Sequence, residues 1–170
     1  MPDDRIAAVD LAELTAELAR ILIDKGWKIS VAESCTGGWI AKTLTDLAGS
    51  SRWFELGVVS YSNSAKGKAL GVPSSLLESH GAVSEPVAMA MVQGVVELVR
   101  TNVGVSVTGI AGPGGGSKEK PVGTVCFGFL SPNSGLEAKT VTFSGDRESI
   151  RRQTVMFALQ NLSSLLIRGR

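Results

Sequence analysis

At 170 residues, 44% of them hydrophobic and 19% charged, the chain can bury one sizeable core and is too evenly mixed for a fibrous or disordered polymer. A formal net charge of +1 at pH 7 leaves no field strong enough to hold nucleic acid or an anionic membrane surface. With Cys35, Cys126 and a single histidine, His80, there is neither a disulfide framework nor the usual ligand set for zinc, and a histidine-based catalyst would have to use His80.

No apolar run approaches the roughly 20 residues of a membrane helix, and the opening "MPDDRIAAVD" is acidic and lacks a signal-peptide core, so a cytoplasmic location is expected. Leu11, Leu14, Leu18 and Leu22 then recur at helical spacing, and Lys25-Gly26 closes that helix. "WKISVAES" reads as a strand and "TGGWIAKTLTDLA" as a helix ending near Gly49. "FELGVVSYS" is a second strand, "SAKGKALGV" a short helix or turn, and "SSLLESHG" a further short helix whose His80 suits the C-terminal dipole. Ser84 caps a long helix with Pro86 in its first turn, running to about Thr101, and its Val, Ala and Met residues all round predict substantial burial. "VGVSVTGIAG" is a third strand that breaks into "GPGGGSKEKP". "VGTVCFGFL" and "LEAKTVTFS", joined by "SPNSG", predict a hairpin. The last helix runs from about Asp146 to Leu166, with Val155, Ala158, Leu159, Leu162 and Leu166 on one stripe. There is no internal repeat, low-complexity tract or linker, so residues 1–170 read as a single domain. The expected fold class is α/β, a three-layer α/β/α sandwich with a mixed, mostly parallel sheet.

Ligands of open α/β sheets bind beyond the carboxyl ends of the strands, and three loops qualify: "ESCTGG", "YSNSAK" and "TGIAGPGGG". In the first, Ser34 or Cys35 is a candidate nucleophile, with N–H groups near Thr36, Gly37 and Gly38 as an oxyanion hole. The same pattern also suits a helix capped by Ser34 or Thr36, with glycines for close packing. Without a histidine partner, Cys35 reads better as a buried thiol. In the second loop, no carboxylate between Val58 and Ser75 claims Lys66, so burial there would make it a general base, with Tyr61 as proton donor or relay. A solvated lysine is the plain alternative. The third loop holds five glycines from Gly109 to Gly116, among them Gly112, after Thr108 at the strand end. It fits neither a P-loop nor a dinucleotide fingerprint, and either presents amides to a phosphate or carbonyl or serves as a connection. In the last helix Glu148 pairs in spacing with Arg152 and with Arg151, whereas Arg147 has no acid at three or four residues. Arg147 at that helix N-terminus is a candidate anion site.

Taken together, "AESCTGG", "YSNSAK", "TGIAGPGGGSKEKPVGTV" and "FSGDRESIR" resemble the CinA C-terminal domain family, over about Asp10 to Leu165 and in the family's order. Small departures stand at Ala48 and Leu56, where the family has proline and glycine. The resemblance implies deamidation of nicotinamide mononucleotide to nicotinate mononucleotide and ammonia, without metal or cofactor. It places the nucleophile on Ser34, the lysine base on Lys66, the tyrosine on Tyr61, the threonine on Thr108 and the arginine on Arg147. The expected partner is a small nucleotide, with a homodimer conceivable from the apolar composition. A non-catalytic nucleotide- or partner-binding module would use the same loops.

Overall fold

The computed structural model describes residues 10–168, so the acidic stretch 1–9 lies outside the described residues. Five strands form one sheet in the order β2-β1-β3-β4-β5. β1 (Ile29–Glu33), β2 (Phe54–Val59) and β3 (Val103–Gly109) run parallel; β4 (Thr124–Ser131) and β5 (Gly135–Thr142) follow antiparallel, as the hairpin pattern requires.

The helices are cut where the sequence places its caps. Asp10 accepts from the Ala12 N–H to open α1 (Leu11–Lys25), and Gly26, in the left-handed region, closes it. Ser62 caps α3 (Asn63–Leu70), Ser84 caps α5 (Glu85–Val99) and Asp146 caps α6 (Arg147–Ile167). α4 (Ser74–His80) ends at Gly81, with His80 exposed. The second helix is shorter than its pattern suggests. Gly37 (φ +60) and Gly38 (φ +100) turn the chain left-handed, so α2 spans only Trp39–Thr45. No helix among the described residues is long and apolar enough to cross a membrane.

Alternation along the strands sorts side chains to two faces. Val31, Val105, Phe127 and Phe129 pack with Leu18 and Leu22 of α1 and Leu159 and Leu162 of α6. All five stripe residues of α6 are buried there. The opposite face is built of small residues so that α5 can lie close. Ser106 Oγ donates to the Ala88 carbonyl at 2.6 Å, and a Cβ on Gly128 would sit 2.5 Å from that same oxygen. α5 buries Val87, Ala88, Met91, Val92 and Val95 and leaves Leu98 exposed, a narrower burial than its composition implies. Gly94 of α5 then admits the Leu70 carbonyl at the end of α3, where a side chain would collide. α5 thus holds the end of α3.

In the sheet, Glu33 pairs with Val59 on one side and Val107 on the other. The loops after the three parallel strands therefore leave from the same edge.

Candidate active site

Those loops enclose a cleft of about 270 Å³. Ser34 and Cys35 enter it from β1, Tyr61 and Lys66 from β2 and α3, and Gly109, Gly112, Gly114 and Gly115 from the loop after β3; Arg147 closes it from α6. One edge of the sheet has gathered segments far apart in sequence.

Lys66 is the unusual member. A lysine is seldom buried, yet this one is 1% exposed. Ser62 caps its helix and Gly94 seats the helix end, so the side chain is directed under the β1 loop. Its Nζ donates to Ser34 Oγ at 3.0 Å and to the carbonyls of Ser60 at 2.8 Å and Tyr61 at 3.2 Å. Among the described residues no carboxylate pairs with it. Burial therefore pushes its pKa below the ordinary lysine value of 10.5, and the Cys35 group opposes this only in part. Two carbonyls and one hydroxyl are the partner set a neutral amine needs. In that neutral form two N–H bonds would go to the carbonyls, and the contact with Ser34 would reverse so that the lone pair accepts from the hydroxyl.

Cys35 shares the cleft, but burial pushes its thiol up to about 12, which keeps it protonated. Tyr61 is 59% exposed at the mouth. Its backbone carbonyl, not its hydroxyl, meets Lys66; the hydroxyl accepts from Arg147 Nη2 at 3.2 Å. Arg147 Nη1 also donates to the Gly112 carbonyl at 2.7 Å, so the arginine ties the glycine loop to the tyrosine.

The remaining predicted residues lie elsewhere. Thr108 is buried and donates to the Ala82 carbonyl at 2.9 Å, holding the approach to α5 outside the cleft lining. Thr36, Gly37 and Gly38 line a separate hollow with Trp39 and Arg151. Neither Ser34 nor Thr36 caps α2. That role belongs to Glu33, which sequence reasoning missed. Its fully buried carboxylate accepts from Thr36 Oγ1 at 2.6 Å, Ile40 N–H at 2.8 Å and Ala41 N–H at 3.0 Å. A buried carboxylate at a helix start is stabilised by those amides and the helix dipole. It takes the N–H groups of Ile40 and Ala41 at the α2 terminus, not those of Thr36 to Gly38.

The expected helical ion pairs are absent among the described residues. Arg151 turns from Glu148 to the carbonyls of Cys35 and Thr36, and Arg152 points to Met156 Sδ. The signal for Arg151 was its place four residues beyond Arg147, on the same face of α6. Among the described residues, no group of three or more His, Cys, Asp or Glu is placed to hold a metal ion.

The family model for the CinA C-terminal domain matches residues 11–166. A nicotinamide-nucleotide amidohydrolase, PncC, of Enterobacter agglomerans is 54% identical over 150 residues, covering 88% of this chain and 92% of that protein. The protein of the same name from Escherichia coli K12 is 49% identical over 153 residues, covering 90% and 93%. The crystal structure of the competence damage-inducible protein A of Klebsiella pneumoniae superposes with a TM-score of 0.91 at 38% identity, covering 95% and 100% of the two chains. The four motifs, the mixed five-stranded sheet and these matches agree: the chain belongs to the CinA C-terminal domain family.

Proposed function

We propose that this protein is a nicotinamide-nucleotide amidohydrolase that converts nicotinamide mononucleotide to nicotinate mononucleotide and ammonia by a serine–lysine mechanism, in pyridine-nucleotide recycling. The observation that carries the reading is the 3.0 Å contact between Ser34 Oγ and a buried lysine amine that no carboxylate among the described residues pairs with. The names borne by the similar Enterobacter and Escherichia proteins support the substrate.

Neutral Lys66 takes the Ser34 proton as Oγ attacks the carboxamide carbon. The carbonyl oxygen becomes an oxyanion held by backbone N–H groups. Lys66 returns the proton to the amide nitrogen, the C–N bond breaks and ammonia leaves an ester on Ser34. Water, deprotonated by Lys66, attacks that ester; the carboxylic acid departs and Ser34 regains its proton. Arg147 and the amides of the Gly109–Gly116 loop hold the substrate phosphate. Tyr61, hydrogen-bonded to Arg147, belongs to that binding end.

The test is ammonia released from nicotinamide mononucleotide. Wild-type protein is expected to turn over, and Ser34→Ala to lose at least about 10³-fold in kcat, as triad-type nucleophiles do, while keeping its circular dichroism. Tight nucleotide binding without ammonia would instead make the chain a binding module.

A further inference from the structure

The sheet edge holds a second serine beside Ser34 that the mechanism leaves unused. Ser60 is fully buried, and its Oγ has no hydrogen-bond partner among the described residues. Buried hydroxyls are nearly always bonded, so an orphan beside the reacting pair needs a reason.

The strand register fixes where it points. β1 and β2 pair as far as Glu33 and Val59, and the Ser60 N–H donates to the Glu33 carbonyl at 2.9 Å, so the parallel ladder continues past Val59. Side chains alternate along a strand. Ala32 packs with Leu70 of α3 and with Val87 and Met91 of α5, and Val58 packs against the same cluster. Ser34 stands two residues beyond Ala32 and Ser60 two beyond Val58, so both project to that face from adjacent strands. Lys66 meets them from α3: its Nζ donates to Ser34 Oγ at 3.0 Å and to the Ser60 carbonyl at 2.8 Å. The orphan hydroxyl thus belongs to the residue whose carbonyl already holds the amine.

Proton transfer changes what that amine needs. Neutral Lys66 has two N–H bonds for the carbonyls of Ser60 and Tyr61 and a lone pair for the Ser34 hydroxyl. Once it takes the Ser34 proton it has three N–H bonds and a full charge, while Ser34 Oγ is bonded to carbon. No carboxylate among the described residues pairs with it. Glu33 holds the α2 amides on the other face of β1, Cys35 keeps its proton, and Arg147 is itself a cation, tied to the Tyr61 hydroxyl and the Gly112 carbonyl. The Gly109–Gly115 stretch carries no charge, and α5 brings apolar Val87 and Met91 to this face. Ser60 Oγ is an uncommitted acceptor there, and a serine side chain turns readily between staggered wells.

We infer that Ser60 is a positioning residue for the amidase: as Lys66 takes the Ser34 proton, the Ser60 hydroxyl oxygen turns to Nζ, accepts its third N–H and holds the ammonium until a proton passes to the leaving nitrogen. Fully buried and outside the cleft lining, Ser60 acts through Lys66 and does not touch substrate. The inference rests on the serine–lysine mechanism above.

The experiment compares wild type, Ser60→Ala and Ser60→Cys in ammonia release from nicotinamide mononucleotide between pH 5 and about 10, with melting temperatures alongside. A thiol is close to a hydroxyl in size but a weak acceptor, so the cysteine variant decides the matter if the alanine variant fails to fold. Each should lose about 10-fold in kcat, the scale of one hydrogen bond to a charged group, with KM within about threefold. The acid limb of kcat/KM should move down by about one pH unit, because the ammonium has lost an acceptor. Ser60→Ala breaks no bond of the resting protein, so its melting temperature should hold or rise. A limb that stays in place overturns the inference and marks Ser60 as a packing residue, whatever happens to kcat or melting temperature. A limb that moves up overturns it too, since the hydroxyl would then be holding the neutral amine. A wild-type protein that releases no ammonia strikes the amidase reading itself.

Discussion

A lysine hidden from water, with two backbone carbonyls and an alcohol around its nitrogen, is held in the form that can accept a proton. Lys66 meets that description by burial and partners rather than by a neighbouring cation. Its pKa lies below the ordinary 10.5, so kcat/KM should rise with pH through an acid limb that sits below that value, read from initial rates between pH 5 and about 10. The same shift has a thermodynamic sign. Below 10.5 the unfolded chain binds a proton at this position that the folded state resists, so stability rises with pH between the folded pKa and 10.5. Lys66→Met removes that penalty. It should melt above the wild type at pH 6, with the gap closing as pH climbs, while ammonia release is lost.

At the scale of elements, α3 carries the base and α5 holds α3. Gly94→Ala would force a Cβ into the Leu70 carbonyl, and overpacking of this kind costs on the order of 1–3 kcal/mol. We expect a lower melting temperature by thermal denaturation, together with a fall in kcat as Lys66 is displaced from Ser34. Caps and periodicity made most elements readable: Ser84 opens α5, α6 starts at Asp146, and the apolar stripe of α6 is buried, whereas the Asp10 and Ser62 caps emerge only in the structure. The start of α2 was not readable, because its cap comes from the strand before it. Glu33 reaches across a turn to Ile40 and Ala41, a pairing seven and eight residues apart that no local capping pattern describes. Arg151 escaped for a related reason. Local spacing offered it Glu148, but the geometry of the sheet edge offered it two carbonyls 115 and 116 residues away. A bidentate guanidinium over paired carbonyls replaces a solvent-exposed ion pair of small worth.

For the whole molecule, composition spoke more plainly than any motif. Many glycines and few aromatics anticipated a sheet on which a helix backbone lies directly, and Gly128 beneath Ala88 is that contact. The order of elements anticipated a sheet that begins parallel and finishes with a hairpin. What strand order alone withheld was which side chains at this end of the sheet reach the cleft: Lys66 of α3 does, whereas Thr108 of β3 is drawn off to Ala82. That register has a kinetic meaning. Ser34 follows β1 directly and Lys66 sits on α3, the helix after β2; the last paired residues of these two neighbouring parallel strands are Glu33 and Val59. Slippage by a single residue would turn every side chain of a strand to the other face. Catalysis is therefore a clock for refolding: ammonia production should return only when the first two strands have locked together, later than the compaction reported by fluorescence of Trp53 in a Trp27→Phe, Trp39→Phe variant.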